Sequence, residues 1–295
     1  MRTTAVAIPT PSTWSRDLVA LAKPRLNMLV VASTLAGYAM APGEPLGLFR
    51  IFVLALGTGL IAGGASALNQ VLERDLDALM RRTRTRPLPD GRLQPVEGVV
   101  FGVAISFVGA LMILTATNAL AAAVALATLG IYVAIYTPLK RRTSFSTVIG
   151  AIPGALPPII GWAAAAGELP AKAWTLFGIV FLWQMPHFLS IAWMYREDYA
   201  RAGFQMLPVL EPDGRSTGRQ AFFYAAALVP LSLAPAPLHL AGQIYFVGAL
   251  LLGLVFLWLT FQFARTRTMR DARRAFFGSL AYLPLLWILM IADKM

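Results

Sequence analysis

The sequence predicts an all-α fold: a polytopic membrane protein with nine transmembrane helices in a single bundle and a polar site that faces the cytoplasm. The first indication is composition, because apolar types make up 58% of the 295 residues and charged types only 13%, against about 25% in an average soluble domain. The second is a series of uncharged stretches long enough to cross a bilayer. The third is the uneven distribution of basic residues among the loops. The same low charge density excludes a disordered chain.

Charge-free stretches define the predicted helices in order. They cover residues 26–43, 51–72, 98–139, 143–167, 173–195, 220–264 and 275–292. A helix needs about 20 residues to span the hydrocarbon, so the two longest stretches each predict a pair of helices. The breaks are expected at the polar segment 115–118 and the proline-rich segment 235–239. The chain therefore divides into a cytoplasmic N-terminal arm, residues 1–25, and a nine-helix transmembrane domain, residues 26–292.

Basic residues test this helix count and give the orientation. With nine helices, 22 of the 25 Lys and Arg residues fall in the arm and loops of one side, and 3 on the other. The positive-inside rule assigns the basic side to the cytoplasm. We therefore expect a multi-pass protein of the inner (plasma) membrane with a cytoplasmic N-terminus and an external C-terminus. The net charge of +11 then reflects loops that face an anionic lipid bilayer, and no nucleic-acid partner is expected.

Two kinds of chemistry are excluded by residues that the chain lacks. Cysteine is absent, which excludes a disulfide scaffold, a thiolate metal site and a cysteine nucleophile. A metal ion would have to be held by oxygen or imidazole ligands. No G-x-x-x-x-G-K-[ST] segment occurs, so nucleotide hydrolysis by a Walker-type site is not indicated.

Acidic residues gather in two cytoplasmic loops, although a positive-inside bias needs only Lys and Arg. Of the 14 Asp and Glu residues, 11 lie on the cytoplasmic side, concentrated after predicted helices 2 and 6. Both loops also contain Pro-Asp-Gly-Arg, at 89–92 and 212–215, which are 123 residues apart. Because Pro-Asp-Gly is a common turn sequence, this match is only weak support for a parallel repeat of four helices followed by a ninth.

Three oxygen-bearing side chains recur at i, i+4 and i+8 where helix 2 leaves the membrane: Asn69, Glu73 and Asp77. That spacing lines them along one face of a continuous helix, whereas Asp75 lies about 200° round. A hard divalent cation such as Mg²⁺ prefers these oxygen ligands. An ordinary acidic helix end, compensated by neighbouring arginines, explains the same pattern. The spacing alone does not choose between the two interpretations.

Basic residues follow these acids closely. Arg82 and Arg86 lie in a run of alternating arginines, and Lys140 and Arg141 begin a second basic run. Guanidinium groups suit bidentate contact with phosphate, but positive-inside topology explains both runs equally well. Acids and bases at one membrane face together suit a metal-bound diphosphate, in which the acids hold the cation and the basic groups contact the phosphates.

Residues 69–77, with the Arg82-Thr83 and Arg86-Pro87-Leu88-Pro89 segments behind them, resemble the first signature of the UbiA superfamily of intramembrane prenyltransferases. That signature is N-x-x-x-D-x-x-x-D, and Glu73 replaces its middle Asp. Other segments are similar to the haem-farnesylating branch of the superfamily. They are Lys23-Pro24-Arg25, 136–143, 154–162, Met185-Pro186-His187-Phe188 and 196–203. One departure is that the second D-x-x-x-D falls on Tyr195 and Tyr199, which leaves Glu197 and Asp198 as the acids of that loop.

The resemblance implies a farnesyl diphosphate donor, a Mg²⁺ cofactor and haem B as the acceptor, with a vinyl group becoming the hydroxyethylfarnesyl group of haem O. It makes Asn69, Glu73 and Asp77 catalytic and metal-binding. The substrate-binding residues that it implies are Arg82, Arg86, Lys140, Arg141, His187, Tyr195, Asp198 and Tyr199. The second acidic loop adds Glu197 and Asp198 as metal ligands. Haem A synthase or a terminal oxidase assembly is the expected partner for the product.

Two other functions remain open at this point. An aromatic-acceptor polyprenyltransferase of quinone or chlorophyll synthesis would share the first signature. A secondary transporter would place ionisable residues near the middle of the membrane. His187 has two interpretations as well: a neutral histidine hydrogen-bonded within the bundle, or a contact to haem through its iron or a propionate.

Overall fold

The computed structural model describes residues 11–43 and 46–295, and most of this length is helical. The helices are α1 Pro11–Ala22, α2 Pro24–Met40, α3 Leu48–Leu72, α4 Arg74–Leu79, α5 Pro95–Ala116, α6 Ala119–Gly130, α7 Thr137–Leu139, α8 Ser146–Ala155, α9 Pro157–Ala166, α10 Ala171–Met194, α11 Arg196–Arg201, α12 Leu207–Leu210, α13 Arg215–Leu233, α14 Gln243–Thr266 and α15 Met269–Ala292. A π-helical segment, Ile131–Tyr136, joins α6 to α7. The described residues contain no β-strand, only an isolated bridge between Ala241 and Lys294. The all-α prediction is confirmed.

Seven helical segments of the described chain are long and apolar enough to cross a membrane. An eighth is present if α1 and α2, which are bent by 41° relative to each other, count as one broken span. The sequence predicts nine. The remaining predicted span corresponds to α13, whose first six residues are polar and include Arg215 and Arg219. The membrane-spanning bundle is therefore confirmed, and the ninth crossing stays a prediction.

Both predicted breaks in the double-length stretches are confirmed. α5 ends at Ala116 and α6 begins at Ala119, where Asn118 accepts a hydrogen bond from the Ala121 backbone N–H at 2.9 Å, as an N-cap residue does. α13 ends at Leu233 and α14 begins at Gln243. Prolines in the predicted break cannot continue a regular helix, which explains why the chain turns there.

The N-terminal arm is more ordered than a polar arm would be. Residues 1–10 lie outside the described chain, but α1 packs on the bundle with Leu21 fully buried. The Trp14 indole N–H donates to Glu97 of α5 at 2.8 Å, and Asp17 forms an ion pair with Arg92. The arm is thus a docked helix that ends directly before α2.

The starting positions of the helices repeat at a nearly constant interval along the chain. α8, α10, α11, α13 and α14 begin 120 to 124 residues after α2, α3, α4, α5 and α6, respectively. α15 follows as an element without a counterpart. This arrangement agrees with the parallel four-helix repeat that the two Pro-Asp-Gly-Arg segments hint at. Counterparts in a parallel repeat run in the same direction, so the short helices after α3 and α10 lie at the same end of the bundle.

Close backbone contact joins α2 to the second half of the repeat. A Cβ atom on Gly161 of α9 would lie 1.8 Å from the Thr34 carbonyl oxygen, and one on Gly37 would lie 2.0 Å from the Pro158 oxygen. Only glycine fits at both positions, as at other tight helix crossings in membranes. The crossing fixes α2, and with it Lys23 at the start of that helix, against the rest of the bundle.

The C-terminus lies at the end of α2 that is opposite Lys23. The Lys294 ammonium donates to the carbonyl oxygens of Ala39 and Ala41, at 2.6 Å and 3.0 Å. Because Lys23 precedes α2 and Ala39 is near its end, the C-terminus and Lys23 lie at opposite ends of the bundle.

Candidate active site

The acidic signature lies at a break between two helices. α3 ends at Leu72, Glu73 has φ −100° and ψ 7°, and α4 begins at Arg74. The helix on which the i, i+4, i+8 spacing would align the three residues is therefore interrupted at Glu73. The break is stabilised locally by a 2.7 Å hydrogen bond from the Asp77 backbone N–H to the Glu73 carbonyl oxygen.

Burial distinguishes the three signature residues from the neighbouring Asp75. Asn69, Glu73 and Asp77 are 3%, 6% and 1% exposed, whereas the Asp75 side chain is 82% exposed and pairs with Arg74 at 2.7 Å. Buried carboxylates need compensating charge or hydrogen bonds. Asp75 thus behaves as a solvated surface residue, and the other three form the interior of the site.

Lys140 supplies the charge that compensates Glu73. Its ammonium donates to Glu73 Oε1 at 2.8 Å and lies 4.6 Å from the centre of the Tyr136 ring. Burial opposes the positive charge, but the neighbouring Tyr136 and Glu73 oxygens outweigh it and hold the pKa of Lys140 above the ordinary lysine value. Gly150 makes room for the ring, because a Cβ there would lie 2.5 Å from Tyr136 Cε2.

Arg86 supplies the charge that compensates Asp77. Its guanidinium donates to Asp77 Oδ2 at 2.7 Å. Thr83, which is fully buried, donates its hydroxyl to the Asp77 carbonyl oxygen at 2.8 Å. The segment after α4 thus folds back over that helix, and a basic side chain predicted to contact phosphate lies directly beside a signature acid.

A π-helical segment completes the wall opposite α3. Asn69 Nδ2 donates to the Thr137 hydroxyl at 3.0 Å, and that hydroxyl donates to the Tyr132 carbonyl oxygen at 2.9 Å. Isolated π-helical turns are frequent at functional sites. Tyr132, Tyr136 and Thr137 were not predicted as site residues, because no sequence signal separates a π-helical turn from the α-helix around it.

Asn69, Glu73 and Asp77 carry oxygen donors of the kind that a magnesium ion binds. Asn69 Oδ1, Glu73 Oε2 and Asp77 Oδ1 make no hydrogen bond to any part of the chain that the structure describes. Amide and carboxylate oxygens are the ligands that Mg²⁺ takes in proteins. Within the described residues, no three acidic or histidine side chains form a metal cluster by themselves, so the amide of Asn69 is needed to complete a set of three.

The second acidic loop meets the first at the same end of the bundle. Asp198, which is buried, accepts a hydrogen bond from the Arg81 backbone N–H at 3.4 Å and pairs with Arg201. The Arg82 guanidinium lies 4.8 Å from the centre of the Tyr195 ring. The predicted residues of the two loops are therefore neighbours in space, as the parallel repeat requires.

Other predicted residues of this end lie further from the buried acids. Glu197 is exposed and has no ion pair or hydrogen bond among the described residues. The Tyr199 ring packs on Phe204 with centroids 5.8 Å apart. Arg141 is exposed and lines an open groove beside Glu73 and Thr137. The structure thus joins Arg141 to the first acidic loop, and Glu197 stays apart from both ion pairs.

An apolar cavity of about 220 Å³ lies deeper in the bundle, next to this polar end. Its wall includes Tyr132 and Ser66, and it extends to Thr58 on α3. Eight residues of helix separate Ser66 from Thr58, a distance of about 12 Å along the axis. The remaining wall is formed mostly by apolar residues of α2, α6, α8 and α9. An extended hydrocarbon chain would fit such a cavity with its polar end at the ion pairs.

His187 lies away from this cavity, between α10 and α15. Its Nδ1 is 2.8 Å from the Ser279 hydroxyl, and its ring stacks on Trp183 and Phe276 with centroids 5.2 Å and 5.0 Å away. The Nε2 atom makes no hydrogen bond within the described chain. The packing agrees with the interpretation of a histidine bonded within the bundle, and contact with haem stays a prediction.

Membrane-length helices that hold buried, ion-paired acids and an amide next to an apolar cavity are the features of an intramembrane enzyme whose site has a polar end and an apolar part. The chain belongs to the UbiA prenyltransferase family, whose model matches residues 30–283. It is accordingly a prenyltransferase, and the resemblance seen in the sequence is confirmed.

Relatives of known name and structure agree with this assignment. A protoheme IX farnesyltransferase of Solibacter usitatus (strain Ellin6076) is 50% identical over 288 residues, which are 95% of this chain and 99% of the relative. One from Koribacter versatilis (strain Ellin345) is 43% identical over 99% of this chain and 98% of its own length. The solved structure of a UbiA homologue from Archaeoglobus fulgidus bound to GPP and Mg²⁺ has a TM-score of 0.68 at 15% identity, with 93% of this chain and 99% of that chain covered. The last similarity concerns the fold.

Proposed function

We propose that this prenyltransferase transfers the farnesyl group of farnesyl diphosphate to a vinyl group of haem B, giving haem O and diphosphate. The structural observation that carries the proposal is the pair of buried acids, Glu73 and Asp77, each matched by a basic side chain next to an apolar cavity. The specific acceptor rests on the full-length similarity to proteins named protoheme IX farnesyltransferase.

The polar end of the site binds the diphosphate. Asn69, Glu73 and Asp77 would hold Mg²⁺ through their unengaged oxygens, and the ion, when bound, supplies positive charge against the phosphate oxygens. Lys140 and Arg86 form ion pairs with Glu73 and Asp77 and bring positive charge close to the phosphates. Departure of diphosphate from an allylic carbon develops negative charge on the leaving oxygen, and preorganised cationic groups stabilise that change more than they stabilise the substrate.

Arg82, Arg141 and the second acidic loop surround the same end. Arg82 stacks on Tyr195, so its guanidinium is held in place for contact with a phosphate oxygen. Asp198 orders the turn at Arg81, and its carboxylate would be an oxygen ligand for a further metal ion. Glu197 would be a second ligand of that ion if the second acidic loop closes over the prenyl donor. Tyr199 contributes to substrate binding by holding this loop against Phe204.

The apolar cavity holds the farnesyl tail and keeps water away from the allylic carbon. Tyr132 belongs to the cavity wall, and an aromatic face attracts positive charge. A dry, aromatic-lined end delays capture of the allylic cation by water until the acceptor is present. The cavity thereby favours transfer to a bound acceptor over simple hydrolysis.

The reaction with the haem acceptor consumes one water molecule. The terminal vinyl carbon of haem B forms a bond to the allylic carbon as the carbon–oxygen bond to diphosphate breaks, and positive charge moves to the carbon next to the porphyrin. Water adds there and releases one proton, which gives the hydroxyethylfarnesyl group. His187 is proposed to contact the haem through its iron or a propionate.

The membrane arrangement completes the proposal. The chain spans the inner (plasma) membrane nine times, with α13 as one of the crossings, the diphosphate site and N-terminus in the cytoplasm and the C-terminus outside. The site end carries most of the basic residues, and the C-terminus lies at the opposite end of α2, in agreement with the positive-inside rule. Haem A synthase or a terminal oxidase assembly receives the product.

The proposal is tested by incubating the purified protein with farnesyl diphosphate, Mg²⁺ and one acceptor at a time, followed by mass analysis of the acceptor. Haem B should gain the mass of one farnesyl and one hydroxyl group, while an aromatic quinone precursor such as 4-hydroxybenzoate should stay unchanged. Prenylation of the aromatic acid with haem unchanged would assign the protein to quinone synthesis instead.

A further inference from the structure

Lys23 has a backbone conformation that lysine rarely takes. It lies in the left-handed region, with φ 47° and ψ 53°, directly before Pro24 at the start of α2. A side chain with a Cβ disfavours this region, and a residue before proline normally takes an extended conformation. Residues strained in this way persist where the surrounding structure fixes them, and they are concentrated at functional sites.

Side chains from two helices hold the turn at Lys23. Gln70 of α3 donates its Nε2 to the Leu21 carbonyl oxygen at 2.8 Å, and Asn27 of α2 donates its Nδ2 to the Ala22 carbonyl oxygen at 2.7 Å. Gln70 follows the signature residue Asn69 directly. The turn between α1 and α2 is therefore fixed to the same part of α3 that carries the acids.

The turn directs Lys23 to the acids without pairing it to them. Lys23 is half-buried, and the charged groups that act on its side chain are Glu73, Asp77 and their basic partners. Its ammonium makes no hydrogen bond or ion pair with any described residue. Because Lys140 and Arg86 already match these acids one to one, the amine of Lys23 has no acid of its own, and a bound anion would favour its protonated form.

We propose that Lys23 binds the diphosphate of the prenyl donor, and that the strained turn between α1 and α2 exists to present its ammonium to that group. The inference rests on the proposed function and extends it to a residue outside both acidic loops. A prenyl diphosphate carries more negative charge than one Mg²⁺ neutralises, so an extra cation matches the ligand. Lysine serves phosphate as a compact point charge.

The test is donor binding in the absence of haem. Full-length protein would be titrated with farnesyl S-thiolodiphosphate, an analogue that does not react, in the presence of Mg²⁺, and its thermal unfolding would be followed in parallel. Lys23→Gly removes the ammonium and accepts the left-handed conformation without strain. We expect about tenfold weaker binding or more with an unfolding temperature no lower than that of the wild type. Lys23→Arg should retain part of the affinity.

Arg25→Ala is the matched control, because it removes an exposed positive charge two residues away. It should bind the analogue like the wild type. Unchanged binding by Lys23→Gly, with or without a change in thermal stability, would overturn the inference and leave the proposed function in place. Failure of the wild-type protein to bind the analogue would overturn both.

Discussion

The Lys140 ammonium donates a hydrogen bond to Glu73 Oε1 at 2.8 Å, across 67 residues of sequence and with both side chains buried. The contact joins the end of α3 to the end of α7. Removing one member of such a pair leaves an uncompensated buried charge, whereas replacing both members is far less costly. The pair therefore supports the fold and also sets the charge at the site.

Lys140→Met should lower the free energy of unfolding by about 3–5 kcal/mol, because Glu73 would remain buried without a partner. The double variant Lys140→Met with Glu73→Gln should recover most of that stability but no activity. Thermal unfolding in detergent measures the first effect and farnesyl transfer the second. A single variant as stable as the wild type would show that the pair contributes nothing to the fold.

Asp77→Asn should lower the rate of diphosphate release by about a hundredfold or more, since it removes one preorganised charge from the site. The change keeps the size of the side chain, so the protein should remain folded. Asp75→Asn is the matched control because that side chain is exposed, and it should retain most of the activity. Full activity of Asp77→Asn with an unchanged Mg²⁺ dependence would exclude this carboxylate from the mechanism.

Sequence patterns predicted the parts of the molecule that depend on local chemistry. Helix breaks at Asn118 and at 235–239 follow from capping and proline, and the charge pattern identified both acidic loops. The family signature pointed to Asn69, Glu73 and Asp77, which the structure buries beside the partly exposed Arg86.

Features created by tertiary contacts could not be predicted from the sequence. The break at Glu73 interrupts the helix that the spacing of the signature residues implies, and Glu73 pairs there with Lys140. The π-helical turn at Tyr132 and the turn at Lys23 are determined by neighbouring helices. His187 carried a strong motif signal, but the sequence could not show that Ser279 would lie beside it.

Thr58→Phe should shorten the prenyl chain that the enzyme accepts, because Thr58 lines the cavity about 12 Å beyond Ser66. We expect the KM for farnesyl diphosphate to rise while geranyl diphosphate remains a donor. Leu126→Phe, on an exposed position of α6, is the control and should keep the preference for farnesyl. An unchanged preference in Thr58→Phe would mean that the tail binds elsewhere.

His187→Ala should weaken haem binding and alter the haem absorption spectrum, with little effect on the affinity for farnesyl diphosphate, if the imidazole contacts haem. Ser279→Ala provides the comparison, since it removes the hydrogen-bond partner and leaves the imidazole in place. That variant should lose stability and keep haem binding. Equal losses of stability in both variants, with the haem spectrum unchanged, would make His187 a packing residue only.

Single cysteines at Thr85, Arg142 and Arg215 should react with a membrane-impermeant thiol reagent only from the cytoplasmic side. The chain has no native cysteine, so labelling has no background. All three positions lie in segments assigned to the basic side by the nine-helix arrangement. Labelling of Arg142→Cys from outside, together with Thr85→Cys from inside, would contradict the division of residues 98–139 into two crossings.

The most direct measurement of farnesyl transfer to haem is the coupling of diphosphate release to haem conversion. Purified protein would be given farnesyl diphosphate and Mg²⁺ with and without haem B, and released diphosphate and farnesylated haem would be counted in the same sample. We expect one diphosphate for each haem O formed and little release when haem is omitted. Diphosphate released at the same rate without haem, or with haem left unconverted, would contradict this expectation.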